Sequence, residues 1–137
     1  MVMTEASYTT TGLNQACKQT APTQGVFNVI GVVKVNPLND WATLKQKLIS
    51  TPVIAVINPG VEFIFYQSGI LDSTTCSSDY KHPIQLVGYG VENGIQYFIG
   101  KNSYGQQWGE NGFIRIAMQP GAGVCGVQQF TLYPTTL

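Results

Sequence analysis

Residues 82–112 read HPIQLVGYGVENGIQYFIGKNSYGQQWGENG, and this stretch predicts both the fold and the chemistry of the chain. It begins with the only histidine, His82, which is followed by an apolar run typical of a strand. Asn93-Gly94 is the strongest hairpin signal in the sequence, so the chain is expected to turn back and bring Asn102 towards His82. A lone histidine is by default a satisfied or solvent-facing residue. An imidazole oriented by an amide, however, suits acyl transfer.

The rest of the chain predicts a turn-rich α+β fold, in which mostly antiparallel strands form a sheet that curls towards a barrel. One short helix is predicted over residues 40–50, with Asn39 or Asp40 as its N-cap. Residues 61–67 predict a short helix or a tight turn, and residues 1–24 read as irregular. The predicted strands are residues 25–35, 53–57, 84–89, 95–99, 113–117 and 127–133.

Composition excludes several classes of function. Seven basic and seven acidic residues leave a formal charge of +0, which argues against a nucleic-acid or polybasic membrane surface. The longest purely apolar run, residues 53–57, is too short to predict a transmembrane helix, and the N-terminus shows no signal-peptide pattern. One histidine and three scattered cysteines give no metal-ligand spacing, and no glycine-rich phosphate loop is visible. We therefore expect neither a metal nor a cofactor.

The chemistry that His82 and Asn102 could perform is incomplete, because acyl transfer also needs a nucleophile. No Gly-x-Ser-x-Gly string occurs in the sequence. Cys17 lies in the string Gln15-Ala16-Cys17-Lys18, which lacks the glycine of the caspase nucleophile motif, so a nucleophilic role is disfavoured. A histidine and an asparagine alone cannot attack a carbonyl group.

Several strings together resemble the C-terminal portion of the papain-like cysteine proteases, the papain and cathepsin family. The combination is highly specific, and weaker similarity extends over nearly the whole chain. The strings are His82 with Val87-Gly88-Tyr89-Gly90, Lys101-Asn102-Ser103-Tyr104-Gly105, residues 108–116 (WGENGFIRI) and Cys125-Gly126-Val127.

The resemblance implies roles for individual residues. His82 would be the catalytic imidazole that forms an ion pair with a thiolate, and Asn102 would orient it. Trp108 and Tyr104 would form the wall of the site. The pocket for the second residue before the scissile bond would be lined by Val56, Pro83 and Phe130.

The resemblance also implies a disulfide between Cys76 and Cys125, and for Cys17 a disulfide partner in another lobe. It predicts residues 1–24 as an irregular segment normally packed on that helical first lobe, and residues 25–137 as the barrel lobe. The family's nucleophile string, of the type Cys-Gly-Ser-Cys-Trp, and the Gln of its oxyanion hole are absent from the sequence. The chain alone is therefore predicted to be inactive and to need a first-lobe chain, or another protein that covers the face between the lobes.

Three positions depart from the family pattern. Tyr104 replaces the usual Trp that covers the His–Asn hydrogen bond, and either a tolerated exchange or a loss of function would explain it. Pro83 replaces a small residue and favours an extended His82. Lys81 replaces Asn or Asp, and a nearby cation disfavours an imidazolium unless the ammonium points to solvent.

Two further residues have alternative interpretations. Phe130 would either narrow the pocket or simply pack into the barrel, and Glu110 is interpreted as a turn residue rather than a general acid.

Two hypotheses remain from the sequence. In the first, the chain is the second-lobe part of a peptidase that cleaves peptide substrates. In the second, it is a non-catalytic module used for protein–protein interaction or structural support. An inhibitor of intact peptidases is a weaker third option. The family resemblance and the expected disulfide favour a lysosomal, vacuolar or secreted location.

Overall fold

A computed structural model describes residues 6, 9, 11–14, 16, 28–77 and 81–136. The chain forms two compact units, Met1–Val33 with Pro134–Leu137 and Lys34–Tyr133. All the candidate site residues except Cys17 lie in the larger unit. Cys17 and most of the segment 1–24 lie outside the described residues, so the predictions made for them stay predictions.

Strands predominate among the elements, which are joined by turns and two short helices. In chain order they are β1 (Val29–Lys34), α1 (Trp41–Leu48), β2 (Val53–Ile57), α2 (Val61–Ile64), β3 (Ile70–Leu71), β4 (His82–Glu92), β5 (Ile95–Lys101), β6 (Phe113–Ala117), a 3-10 turn (Val124–Gly126) and β7 (Thr131–Thr136). These elements confirm the predicted α+β class, with one short α-helix that is longer than a single turn.

The strands of the larger unit form one sheet that is mostly antiparallel and is not closed by hydrogen bonds. Within the larger unit the strand order is β7-β2-β4-β5-β6-β3. The pairs β2–β4, β2–β7, β4–β5 and β5–β6 are antiparallel, whereas the two-residue β3 runs parallel to β6. The predicted tight turn at Asn93-Gly94 joins β4 to β5, with both residues at positive φ.

Helix α1 begins where its sequence predicts. Asp40 is the N-cap, and its carboxylate accepts hydrogen bonds from the backbone N–H groups of Ala42 and Thr43 at 3.0 and 3.3 Å. Leu44 and Leu48 are buried one turn apart and attach the helix to the sheet. The hydroxyl of Thr43, which donates to Asp40, is the main cause that lowers the pKa of this carboxyl.

The core lies on one face of the sheet, because the buried side chains alternate along the central strands. In β4 the buried residues are His82, Ile84 and Leu86, so the imidazole shares the face of the apolar core. The apolar core also contains fully or nearly fully buried side chains from other elements, among them Val53, Ala55, Ile57, Phe63, Phe98, Ile114, Ile116 and Val127. Burial of apolar area on this scale is the main force that stabilises a domain.

The last strand differs from its prediction. Residues 127–133 were expected to form it, but it begins at Thr131, because residues 124–130 form tight turns. Cys125 and Gly126 both have positive φ in these turns. Gln128 is buried there, and its amide donates to the carbonyl oxygens of Gln119 and Gly121 at 2.9 and 2.7 Å. Cys125 is bonded to Cys76, which attaches the same turns to the segment after β3.

Candidate active site

His82 and Asn102 are in direct contact in the larger unit. His82 begins β4 and Asn102 directly follows β5, so the hairpin brings two residues that are 20 positions apart to the same end of the sheet. His82 Nε2 lies 2.7 Å from Asn102 Oδ1. The two residues are only 7% and 8% exposed, so this hydrogen bond is shielded from water.

The hydrogen bonds of Asn102 determine which imidazole nitrogen carries the proton. Its Oδ1 also accepts the backbone N–H of Ser103 at 2.8 Å, so the amide atom that faces His82 is the oxygen. Nε2 must therefore be a donor, and proton exchange with a reacting group would use Nδ1. Asn102 is itself held in place, because its backbone N–H donates to the carbonyl oxygen of Gly112 at 2.9 Å.

Aromatic rings surround the imidazole. The Tyr104 ring lies 5.0 Å from it, centroid to centroid, and the Phe63 ring lies at 5.8 Å in an edge-on arrangement. Trp108 contacts both Phe63 and Tyr104, with centroids at 5.1 and 5.6 Å, and its indole N–H donates to the carbonyl oxygen of Ile64 at 3.0 Å. Tyr104 and Trp108 thus belong to one aromatic cluster with Phe63, whose place was not predicted, and their role as the wall of a site stays a prediction.

The loop that carries Tyr104 and Trp108 is fixed by its own turns. Gly109 has φ +56°, and a Cβ atom there would lie 2.6 Å from the carbonyl oxygen of Phe113 and 2.9 Å from the Tyr66 ring. Only glycine fits this close approach without displacement of its neighbours. The backbone N–H of Gly112 also donates to the carbonyl oxygen of Trp108 at 2.8 Å, which closes the loop behind the indole.

Glu110 braces the far end of this loop. Arg115 holds its carboxylate in a two-pronged contact, with Nε–Oε2 at 2.9 Å and Nη2–Oε1 at 2.7 Å, and the backbone N–H of Gly69 donates to it at 2.9 Å. The hydrogen bonds of Arg115 are the main cause that lowers the pKa of Glu110, and burial opposes them. In turn, Glu110 raises the pKa of Arg115. These contacts are those of a structural brace, which accords with the prediction of a turn residue.

The three predicted pocket residues are neighbours. Val56 in β2 pairs with Pro83 in β4, and the backbone N–H of Val56 donates to the carbonyl oxygen of Phe130 at 2.9 Å. The Phe130 ring is 39% exposed, with the ammonium of Lys34 4.9 Å from its centroid. The structure therefore brings Val56, Pro83 and Phe130 together next to the strand that begins with His82.

Lys81 directly precedes His82, and its ammonium is engaged elsewhere. It is exposed, and Nζ donates a hydrogen bond to Asn58 Oδ1 beyond the end of β2. The sequence predicts that an ammonium pointing to solvent has little influence on whether His82 carries a positive charge.

Cys76 and Cys125 are joined by a disulfide with Cα atoms 5.2 Å apart. In the part of the chain that the structure describes, no three His, Cys, Asp or Glu side chains are grouped so as to hold a metal ion. Among the helices of the same residues, none has both the length and the apolar character needed to cross a membrane.

Comparison with known proteins identifies the family. Residues 1–135 match the sequence model described as "Papain family cysteine protease". The chain belongs to the papain family of cysteine proteases. It is 36% identical to pro-cathepsin H of Medicago truncatula over an alignment of 135 positions that covers 96% of this chain and 37% of the relative. It is 35% identical to mouse pro-cathepsin H over an alignment of 137 positions that covers 97% of this chain and 40% of that protein.

Solved structures of the papain family share the fold. The bromelain protease of Ananas comosus superimposes with a TM-score of 0.87 at 29% identity, over 97% of this chain and 62% of that one. Procathepsin L 3 of Tenebrio molitor also gives 0.87, at 32% identity, over 97% of this chain and 43% of that one. This papain-family chain thus spans about 40% of the length of the curated relatives that it matches.

Proposed function

We propose that this chain is the His/Asn-bearing part of a papain-like cysteine peptidase that hydrolyses peptide bonds by thiol acyl transfer. The observation that carries the proposal is the buried contact of 2.7 Å between His82 Nε2 and Asn102 Oδ1. Tyr104 and Phe63 lie against the same imidazole. A buried imidazole with one nitrogen held by an amide is what a general base needs to keep the other nitrogen directed at its substrate.

In the proposed mechanism His82 moves protons and a cysteine thiolate attacks. Nδ1 takes the proton of the thiol, and Asn102 keeps the resulting imidazolium in place. The thiolate adds to the scissile carbonyl carbon, and the imidazolium then gives its proton to the departing amine. A water molecule then gives a proton to His82 Nδ1 and attacks the thioester, which releases the acid product and the thiol. Val56, Pro83 and Phe130 are proposed to bind the second residue before the scissile bond.

We propose that the thiol comes from outside these 137 residues, because Cys17 is predicted to form a disulfide with another lobe. No Cys-Gly-Ser-Cys-Trp string occurs in the sequence, and Cys76 and Cys125 are already bonded to each other. We therefore propose that a helical first lobe supplies the nucleophile and the oxyanion-hole Gln, either as a further segment of the same protein or as a separate chain. In this arrangement residues 1–24 pack on the first lobe, with Cys17 bonded to it, and residues 25–137 form the second lobe. Alone, the chain is expected to have no peptidase activity.

The Cys76–Cys125 disulfide supports an oxidising location for the protein. Together with the family resemblance, this favours a lysosomal, vacuolar or secreted compartment.

A non-catalytic interaction module is the second candidate. The observation that favours it is the 41% exposure of Tyr104, which leaves the aromatic cover of His82 partly open to water. In this case the face that would meet the first lobe binds another protein, and no thiol reacts at the site.

Alkylation separates the two candidates. A homogeneous native preparation is treated with iodoacetamide at neutral pH, and the products are analysed by intact mass and peptide mapping. The peptidase proposal predicts rapid alkylation of a cysteine outside these 137 residues, in a Cys-Gly-Ser-Cys-Trp type string, with loss of peptidase activity. His82→Ala, folded to the same extent, should slow that alkylation sharply. If an intact preparation contains no such cysteine, the peptidase proposal fails and the interaction module is favoured.

A further inference from the structure

The tripeptide Glu-Asn-Gly occurs twice in the sequence, at residues 92–94 and 110–112. The two copies share a backbone conformation, because φ of the asparagine and of the glycine is 51° and 81° in the first copy and 55° and 89° in the second. Both asparagines are exposed to solvent, whereas Gly94 is exposed and Gly112 is buried. The chain thus contains two copies of one local sequence in different surroundings.

An asparagine that precedes glycine can lose its side-chain amide without an enzyme. The backbone nitrogen of the glycine attacks the side-chain carbonyl carbon, and the amide nitrogen leaves as ammonia, which carries away the proton of the glycine N–H. Water then opens the resulting five-membered imide to aspartate or isoaspartate. Glycine favours the attack because it has no side chain to obstruct it and moves easily between backbone conformations. The reaction therefore needs a glycine N–H without a competing acceptor, and a turn that can open.

The copy at Gly112 is held closed by the surrounding loop. Its N–H donates to the carbonyl oxygen of Trp108 at 2.8 Å, and its own carbonyl oxygen accepts the N–H of Asn102 at 2.9 Å. A Cβ atom at Gly112 would lie 3.3 Å from the carbonyl oxygen of Gly105, so backbone packs closely on this glycine. Attack by the Gly112 nitrogen would break the first hydrogen bond, and the accompanying rotation of the peptide would break the second.

The copy at Gly94 is open, because it forms the tip of the hairpin between β4 and β5. In the part of the chain that the structure describes, the Gly94 N–H has no hydrogen-bond acceptor. A Cβ atom at Gly94 would meet nothing within 4 Å beyond its chain neighbours. The strand pair that closes the turn is Glu92 with Ile95, and both residues are exposed. Opening of an exposed hairpin tip costs less free energy than opening of a packed loop.

We propose that Asn93 is a site of spontaneous deamidation in the folded chain, from which Asn111 is protected by its loop. The product is a new carboxylate next to Glu92, whose own carboxylate contacts Arg115 Nη1 at 2.8 Å. In its isoaspartate form the product also adds a methylene group to the hairpin backbone. His82 begins the 11-residue strand β4 at its opposite end, roughly 30 Å away at the usual rise of a strand. The proposal is therefore independent of the peptidase chemistry.

The test compares the two asparagines within one molecule. The full chain is incubated at mildly alkaline pH and physiological temperature, both folded and unfolded in guanidinium chloride. Peptide mapping by mass spectrometry follows the loss of asparagine at positions 93 and 111 separately over time. Digestion in heavy-oxygen water marks any deamidation that occurs during the workup. Asn93→Gln is the control variant, because glutamine would have to form a less accessible six-membered ring.

In the unfolded chain the two asparagines should react at similar rates, since their flanking residues are the same. In the folded chain Asn93 should react at least about tenfold faster than Asn111, the ratio expected when two hydrogen bonds must break at the second site only. Asn93→Gln should abolish modification at that position and leave the rate at Asn111 unchanged. Equal rates in the folded chain, or an Asn93 that stays intact there while both react in the unfolded chain, would overturn the proposal.

Discussion

Two polar contacts lie at opposite ends of the loop from Asn102 to Arg115, and they differ in kind. His82 and Asn102 share one neutral hydrogen bond of 2.7 Å and are 7% and 8% exposed. Arg115 and Glu110 share an ionic contact, also 2.7 Å at its shortest, with side chains 19% and 29% exposed. Each ion moves its partner's pKa away from neutrality. The charged end of the loop is therefore a fixed brace, whereas the proposed proton transfer would take place at the neutral end.

Removal of Trp108 should have the largest effect, because its ring lies between the two contacts. It packs on Phe63 beside His82 and on Tyr66, whose hydroxyl accepts the backbone N–H of Arg115 at 3.3 Å. Trp108→Ala should lower the free energy of unfolding by about 3–5 kcal/mol, the range for large buried aromatics, and expose the Nε2–H proton of His82. Urea unfolding and proton exchange measure the two effects.

The matched control for that variant is Trp41→Ala. Trp41 is half-buried against the core from α1. Trp41→Ala should lower the free energy of unfolding without a separate effect on the exchange of the His82 Nε2–H proton. If Trp108→Ala lowered the free energy of unfolding by less than about 1 kcal/mol, this would contradict a role of Trp108 in linking the two polar contacts.

Glu110→Gln tests whether the brace and the proton-transfer end are separable. The amide has nearly the same shape but no charge, so Arg115 loses its main ionic partner. We expect a loss of about 1–2 kcal/mol, because both side chains are partly exposed and screened. The exchange of the His82 Nε2–H should stay at its wild-type value.

Glu92→Gln provides the control on the same arginine. Glu92 contacts Arg115 Nη1 at 2.8 Å, but its side chain is 52% exposed. Its removal should cost at most about 1 kcal/mol, as is usual for surface ion pairs. A larger loss from Glu92→Gln than from Glu110→Gln would show that the brace has been assigned to the wrong carboxylate.

Acid should remove the contribution of the brace. Arg115 lowers the pKa of Glu110 in the folded chain below its ordinary value of 4.5. The carboxylate therefore stabilises the fold above that ordinary value, and the contribution is lost as pH falls through the lowered pKa. The stability gap between wild type and Glu110→Gln, measured by urea unfolding, should shrink between pH 7 and about pH 3. A gap of the same size at both values would exclude a charge-dependent brace.

The smallest effect is expected from Tyr104→Trp. A larger ring over the His–Asn bond should slow Nε2–H exchange by roughly twofold, with stability unchanged within about 0.5 kcal/mol. Tyr89→Trp is the control, since Tyr89 is 38% exposed against 41% for Tyr104 and lies further along β4. Faster exchange in Tyr104→Trp would indicate that tyrosine is the better cover in this chain.

The elements that the sequence predicts well are those with local signals. Residues 53–57 and 113–117 form strands with the predicted bounds, and Asn93-Gly94 forms the predicted turn. Strand β3 was missed because two residues carry no periodicity, and its partner β6 lies more than 40 positions away. The last strand was misplaced because an apolar pattern does not reveal the turns that Cys125 and Gly126 make at positive φ.

At the site, the pairing of His82 with Asn102 follows from the hairpin and from the family resemblance. The contact of Phe63 with His82 could not be predicted, since it depends on how α2 packs against β4 and no spacing rule links residues 19 positions apart. Its only signal was an apolar residue in a short predicted helix, which reads equally well as ordinary core.

Peptidase activity after complementation tests the central claim most directly. The 137-residue chain is assayed with a fluorogenic peptide, first alone and then together with the polypeptide that carries the Cys-Gly-Ser-Cys-Trp type string, as wild type and as His82→Ala. We predict no hydrolysis by the chain alone, hydrolysis by the complemented wild type, and none above background with His82→Ala. Hydrolysis by the chain alone, or equal activity of the two complemented forms, would contradict the assignment of His82 as one half of a divided active site.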